Sequence, residues 1–294
     1  MPQPTTSDVH VDAILTNISV AYIQSQANFI ANQVFPAVPV EKQSDKYFTY
    51  TKADWFRDEA QVRAPASESA GSGYGLSTST YNALVYAFHK DVDDQTRANA
   101  DTPLAPDRDA TQFVTQRMLL RREIQWAADF FTTSVWATDK TGGTDFTKWS
   151  SYAGSDPIED IEAGKSAVLT STGMLPNTLV VGYDVYRQLR NHPDIIDRVK
   201  YTSSNTVDTA TIARLFGIDR VLVSRGVKNT AAEGAAISMA SIAGKNALLC
   251  HVTQSPGILT PTAGYTFEWR GVSDGLGATV SISRFRRPEL RADR

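Results

Sequence analysis

The strongest constraint in this chain lies in residues 45–137, where a β-hairpin pattern with a polar tip runs almost directly into one uninterrupted helical pattern. The first arm of the hairpin, 46–56, carries Tyr47, Phe48, Tyr50, Trp55 and Phe56. The return arm, 77–88, alternates with period two. Leu84, Tyr86 and Phe88 fall on one face, and Tyr81, Ala83, Val85 and Ala87 on the other. Between the arms, 64–75 is nearly all Ala, Ser, Gly and Pro, which reads as a flexible tip with Gly71, Gly73 and Gly75. A two-stranded ribbon is marginal in water and its edges invite pairing. Something outside the ribbon must cover it.

The helical pattern follows an acidic turn with Asp91, Asp93 and Asp94 and a polar stretch through Pro103 and Pro106. Asp109 reads as the N-cap with Gln112 at the N3 position. From there Phe113, Leu120, Ile124, Ala127, Phe131 and Val135 step by threes and fours along one stripe, interrupted by Arg117 and widened by Leu119, Trp126 and Phe130. Arg121, Arg122, Glu123 and Asp129 fall off it. The expected helix, 109–137, has neither Gly nor Pro. It would be roughly 40 Å long, well beyond a usual globular helix.

Residues 1–44 read as an arm, with a proline-extended stretch at 34–40; the competing reading is a strand or short helix on the chain's own core. After a break at Gly142 and Gly143 the pattern becomes α/β. Asp156, Pro157 and Glu159 open a helix that ends near Gly173. Strands are expected at 178–181, 220–224, 247–252, 265–269 and 278–285. Short helices are expected at 184–191, stopped by His192-Pro193, and at 209–216, with Gly217 closing the second.

Composition narrows the function. Hydrophobic content of 41% and charged content of 21% are ordinary for a folded chain, and a net charge of −3 gives no general attraction for nucleic acid. No apolar run approaches the roughly 20 residues that span a bilayer, and no signal peptide is visible at the N-terminus. The single cysteine, Cys250, permits no internal disulfide and reads as a buried, inert thiol.

Motifs for chemistry fail one by one. Gly164-Lys165-Ser166 imitates the end of a phosphate loop, but Glu159 stands where the first glycine is needed and no strand leads in. Gly71, Gly73 and Gly75 sit between two strands rather than between strand and helix, so they are no dinucleotide fingerprint. His10, His89, His192 and His251 are scattered without metal-ligand spacing, and no Gly-x-Ser-x-Gly elbow occurs. Asp91, Asp93 and Asp94 lack calcium-loop spacing and read as a solvated acidic turn. Arg284, Arg286, Arg287, Arg291 and Arg294 form the one basic concentration, with Glu289 and Asp293 among them, and suit inter-subunit ion pairs or phosphate. No catalytic, cofactor or metal residues are assigned.

The order of parts is more telling than any motif. An arm ends in Phe29-Ile30-Ala31-Asn32-Gln33-Val34-Phe35-Pro36-Ala37-Val38-Pro39-Val40; the hairpin and long helix follow. An α/β unit then holds the run Leu175 to Tyr186 (LPNTLVVGYDVY) and Leu215-Phe216-Gly217-Ile218. This resembles the major capsid proteins of tailed double-stranded DNA phages, the Hong Kong 97-type fold shared with encapsulins, over nearly the whole chain. The resemblance implies an α+β chain in five parts. These are an N-terminal arm (1–44), an extended β-hairpin loop (45–90), a peripheral domain (91–150) with spine helix 109–137, an α/β axial domain (151–254), and strands returning to the peripheral domain with a C-terminal tail (255–294).

It also implies a virion protein without enzymatic activity, assembled in the host bacterial cytoplasm. Hexamers and pentamers of the chain would form an icosahedral head around double-stranded DNA that is contacted without sequence preference. Lys52, Asp54, Arg57, Asp58, Glu59 and Arg63 on the hairpin become candidates for ion pairs with a neighbouring subunit. No membrane partner is implied. Some relatives crosslink through a lysine near the hairpin tip, but no lysine lies between Lys52 and Lys90, so contacts are expected to be non-covalent, with portal and decoration proteins as further partners. No fused scaffolding segment is expected before the arm, leaving a separate scaffold protein or none. The alternatives are an encapsulin-type compartment shell and, from another class, a nucleotide-dependent enzyme using Lys165 and Ser166.

Overall fold

The computed structural model describes residues 23–101, 104–200, 207–272 and 284–294. The chain divides into two units. One holds the residues before Ala37, Tyr86–Thr266 and the C-terminal end; the other holds Ala37–Val85 and the segment beginning at Phe267.

The larger unit is organised by the strand Thr178–Gly182, all of it buried. Its neighbours are Arg220–Ser224, parallel, and Ala247–Cys250, antiparallel, so the strand lies in the middle of a three-stranded sheet. The sequence TLVVG has no polar alternation because both of its faces are covered. Leu179 and Val181 point into a core shared with Ile158, Leu189, Ile195, Ile212 and Phe216 from the surrounding helices. Val180 points the other way, into a second core with Ile30, Val34 and Phe35 from the arm and Trp126 and Phe131 from the end of the long helix. One strand thus separates, and contributes to, both cores.

Local signals place the helices on the first face well. Asp156 accepts from the amides of Ile158 and Glu159, and Pro157–Thr172 ends at Gly173 in the left-handed region. Thr209–Phe216 is capped by Asp208 and ends at Gly217, φ 61°. His192-Pro193 does stop the helix Tyr183–Arg190, but it also starts another, Pro193–Val199, with His192 as N-cap and proline in the first turn. That helix is absent from the sequence reading, as is the strand pair Val227–Asn229 and Met239–Ser241.

The long helix is Pro106–Phe130, 25 residues and about 37 Å. It begins before the expected N-cap: Asp109 lies in the first turn with Asp107, and Pro106 opens the helix without a side-chain cap. It also ends earlier. Ser134 adopts φ 67°, and the Trp136 indole turns back to donate to the Phe130 carbonyl at 2.8 Å. This indole contact satisfies a carbonyl the helix end would otherwise leave open. Val135, placed on the stripe by its spacing, lies outside the helix and is exposed.

In the smaller unit the hairpin strands are shorter than expected, Ser44–Tyr50 paired with Leu76–Asn82. Residues 52–55 turn into a single helical turn, and 84–88 leave the ladder. Strand Ala37–Val40 pairs with Thr266–Trp269. Most of the expected strand 278–285, and arm residues 1–22 with His10, lie outside the described residues.

Gly182 is a point of close approach, where an added Cβ would stand 2.2 Å from the Gly244 carbonyl oxygen. Gly182→Ala is expected to lower stability by about 1–3 kcal/mol, because backbone rather than a pliant side chain must move. A thermal melt unchanged from wild type would show that the 243–244 loop yields freely.

Candidate assembly surface

The arm is fastened to the larger unit by a clamp on a four-residue helix, Ala31–Val34. So short a helix cannot persist alone. Glu123, 1% exposed near the middle of the long helix, receives the amides of Ile30 (2.9 Å) and Ala31 (2.8 Å) on one oxygen. Its other oxygen accepts from the Ser224 hydroxyl at 2.8 Å. At the opposite end of the short helix, Arg220 donates to the carbonyls of Gln33 (2.9 Å) and Val34 (3.1 Å). An acid at the N-terminus and a base at the C-terminus match the helix dipole. Upstream, the Gln24 side chain exchanges two hydrogen bonds with the Val227 backbone, and the Arg225 amide donates to Asn28. From Gln24 to Phe35 the arm is therefore bound to its own chain, the second of the two sequence readings. Glu123 was missed because its position off the apolar stripe marks it as solvent-facing.

A second cluster joins two segments that the sequence reading kept apart. The strands Val92–Asp93, Ala292–Asp293 and Arg286–Arg287 form a small sheet. Around it Arg294 pairs with Asp91 (2.6 Å), Arg286 with Asp94 and Asp293, and Arg284 with Asp293 and Asp107. Arg97 reaches both Asp107 and Asp293 at 2.9 Å. Arg287 pairs locally with Glu289. The acidic turn is thus not merely solvated, and Arg284, Arg286, Arg287 and Arg294 are paired within the chain. Asp93 caps the helix Asp94–Ala98 through Thr96. Arginine contacts hold the Asp91, Asp94 and Asp293 carboxyls below their ordinary range.

The hairpin has one covered face and one open face. Tyr47 and Tyr81 pack over Phe267 of their own unit, with ring centroids 5.5 and 4.5 Å away. Part of the cover that the ribbon requires is therefore intramolecular. The opposite face leaves Phe48 66% and Leu76 54% exposed. Near the far end Tyr50, Trp55 and Tyr74 form an aromatic group with centroids 5.4–6.2 Å apart, and Trp55, Phe56 and Tyr74 are exposed.

Of the six charged candidates, Arg57 joins Asp54 (3.9 Å) and Glu59 (3.2 Å). The Ser72 hydroxyl and then Arg57 draw the Glu59 carboxyl below its ordinary range. Arg63 donates to the Ser67 carbonyl across a turn in which Ala66 has φ 62°. Lys52 and Asp58 are exposed. Gly71 and Gly73 stand in open space, but Gly75 belongs to the hairpin proper: its amide donates to Asp54 at 2.8 Å.

The residues considered for catalysis have structural duties. Lys165 lies inside a helix and donates to the Phe216 carbonyl at 2.8 Å and to Glu162 at 2.8 Å, closing the end of a neighbouring helix. Ser155, His192 and Asp194 do come together, with Ser155 Oγ 2.9 Å from His192 Nε2. The polarity is wrong for a nucleophile, however. The Asp194 amide donates to Nδ1 and the Ser155 hydroxyl donates to the Ser151 carbonyl (2.9 Å). Nε2 therefore carries the proton and donates to Ser155 instead of taking its proton. Burial pushes the Cys250 thiol up to about 12. Among the described residues no group of three His, Cys, Asp or Glu could hold a metal ion, and no helix is long and apolar enough to cross a membrane.

Comparison with known proteins points to phage capsids. No family model matches the chain. It is 26% identical to the major capsid protein of Burkholderia phage BcepMu, over 95% of this chain and 92% of that one. It is 28% identical to the major capsid protein of Pseudomonas phage JBD67, over 76% and 71%. Among solved structures, a phage-related protein from Bordetella bronchiseptica superposes with a TM-score of 0.65 at 22% identity, over 92% of this chain and 86% of that one. The mature capsid of bacteriophage PhiM1 superposes with 0.52 at 11% identity, over 83% and 77%. The fold is that of the phage capsid proteins, the mixed α and β Hong Kong 97-type.

Two pH effects of opposite sign follow from these clusters. Burial lifts the Glu123 carboxyl above its ordinary range, against the pull of its three donors. Its contribution to stability is therefore complete below the unfolded carboxylate pKa, near 4.3, and declines as pH rises through the folded value. Glu123→Gln keeps an acceptor for the two amides and removes this dependence. Its denaturation midpoint is expected to gain on wild type as pH rises; a constant difference between the two would refute the assignment. Glu123→Ala strands two buried amides and is expected to cost about 2–5 kcal/mol.

The carboxylates paired to arginine behave in reverse. Their contribution is present above the unfolded pKa, near 3.9, and is lost as pH falls below it. Proteolysis of the C-terminal strands should accelerate in that acid range. Unchanged cleavage there would mean that the ion pairs do not hold those strands.

Proposed function

We infer that the chain is the major capsid protein of a tailed phage, a shell-forming structural protein. The observation that carries this reading is similarity to two phage major capsid proteins over most of both chains, joined to a fold shared with a mature phage capsid. Both curated relatives are phage proteins, which favours a phage head over an encapsulin-type compartment. A nucleotide-dependent enzyme has no support from Lys165, whose ammonium group is committed to a helix end.

The finer assignments are our proposal. Within the larger unit the long helix serves as the spine of a peripheral domain, and the sheet with its helices as an axial domain; the smaller unit is the extended loop. The open face of the hairpin, with Phe48 and Leu76, meets a neighbouring copy in hexamers and pentamers. Lys52 and Asp58 at its far end are solvent-exposed charges placed to contribute there, with Asp54, Arg57, Glu59 and Arg63 holding the loop in shape. Exposed ion pairs are worth only about 0–1 kcal/mol each, so the aromatic face supplies most of the contact and symmetry multiplies it. The head encloses double-stranded DNA and is built in the host cytoplasm with portal, scaffold and decoration proteins.

Phe48→Ser together with Leu76→Ser tests the hairpin. Both side chains are already exposed, so the folding midpoint of the chain should shift by no more than about 0.5 kcal/mol. Electron microscopy should then show closed shells from wild type and few or none from the double variant. Normal shells from the variant would remove this face from the interface, and a wild-type chain that stays monomeric under all conditions would remove the capsid reading itself.

A further inference from the structure

We propose that the face formed by residues 86–90 and the long helix between Phe113 and Arg121 holds the phosphate backbone of double-stranded nucleic acid without sequence preference. This deepens the capsid reading and rests on it for the identity of the nucleic acid. Three cations and three aromatic rings interleave there. The Lys90 ammonium group lies 5.4 Å and the Arg117 guanidinium 5.1 Å from the centroid of Phe113. Arg121 lies 5.3 Å from the centroid of Tyr86, and Phe88 packs against Phe113 at 5.9 Å. Arg117, Arg121, Tyr86 and Phe88 are exposed.

None of the three cations forms an ion pair among the described residues, in contrast to the C-terminal arginines. Arg121 donates to Gln125 at 2.8 Å, and the same amide donates on to Asp129, so a neutral group stands between that base and that acid. The rings hold the cations in place without neutralising them. Three like charges kept together on a chain of net charge −3 call for a partner of repeating negative charge. The acidic cluster of Asp91, Asp94, Asp107 and Asp293 does not serve these cations, because Arg97, Arg284, Arg286 and Arg294 occupy it.

The magnitude suits a container. Three phosphate contacts give a salt slope of about −2.7, so affinity per copy falls roughly forty-fold between about 50 and 200 mM salt. Each contact is weak and reversible, while a shell repeats it on every copy.

The test uses full-length chain before shell formation and a fluorescein-labelled duplex of mixed sequence, about 30 base pairs long, followed by anisotropy across that salt range. The wild type should bind with a slope near −2.7, and the triple variant Lys90→Gln, Arg117→Gln, Arg121→Gln should lose about 2–3 units of slope and at least about tenfold in affinity at the lowest salt. Arg108→Gln, which removes an arginine of the same helix already beside Asp109, should bind as wild type does. Microscopy of the same preparations keeps the two readings separate, since shells from all three chains would leave the capsid reading intact whatever the anisotropy shows. The proposal is overturned if wild type shows no salt-dependent binding, or if the triple variant keeps its slope. It is equally overturned if the triple variant binds normally but no longer assembles, which would make this face a contact between copies. Duplex binding by a chain that never assembles would support the contact while removing the capsid reading.

Discussion

Glu123 is the constraint on which the larger unit depends. A carboxylate 1% exposed is costly to bury, and it persists because the chain brings it three donors from two distant segments, the arm and the strand Arg220–Ser224. Those donors fix where the short helix of the arm begins, and Arg220 fixes where it ends. With that helix in place Val34 and Phe35 can close the second core against Val180, Trp126 and Phe131. Without it, that face of the central sheet would lose a wall. The acid therefore acts as a specific joint between arm, helix and sheet, where an apolar residue would supply burial but no register.

The charges follow a similar logic across the larger unit. Acids and bases far apart in sequence, such as Asp91 with Arg294 and Asp94 with Arg286, consume one another in holding the C-terminal strands to the segment that precedes the long helix. The cations beside Tyr86 and Phe113 stand outside such pairs. A pile of basic residues in the sequence proved less informative than three scattered ones that tertiary structure leaves unpaired over aromatic rings.

The hairpin unit shows how a marginal ribbon is made tolerable within its own chain. Phe267 covers one face, and hydrogen bonds from Gly75 to Asp54 and from Ser72 to Glu59 draw the far end together. The ribbon is thereby shaped in advance, which lowers the ordering cost of any later contact. The face with Phe48 and Leu76 is left apolar and exposed, the usual condition of a surface with a binding role.

Much of this protein was legible in its sequence wherever the determinants are local. Asp156, Gly173 and Gly217 bound their helices as capping chemistry requires, and the short apolar run at 178–181 announced a strand. The order of arm, hairpin, long helix and α/β segment was enough to suggest the capsid fold. Tertiary structure alone decided the rest. It paired the acidic turn with the C-terminus. It also buried Glu123, whose position in the periodic pattern points to solvent. The reason is the same for both. Periodicity and capping act within one or two helical turns, whereas the partners of Glu123 and Asp91 come from segments whose proximity exists only once the chain has folded.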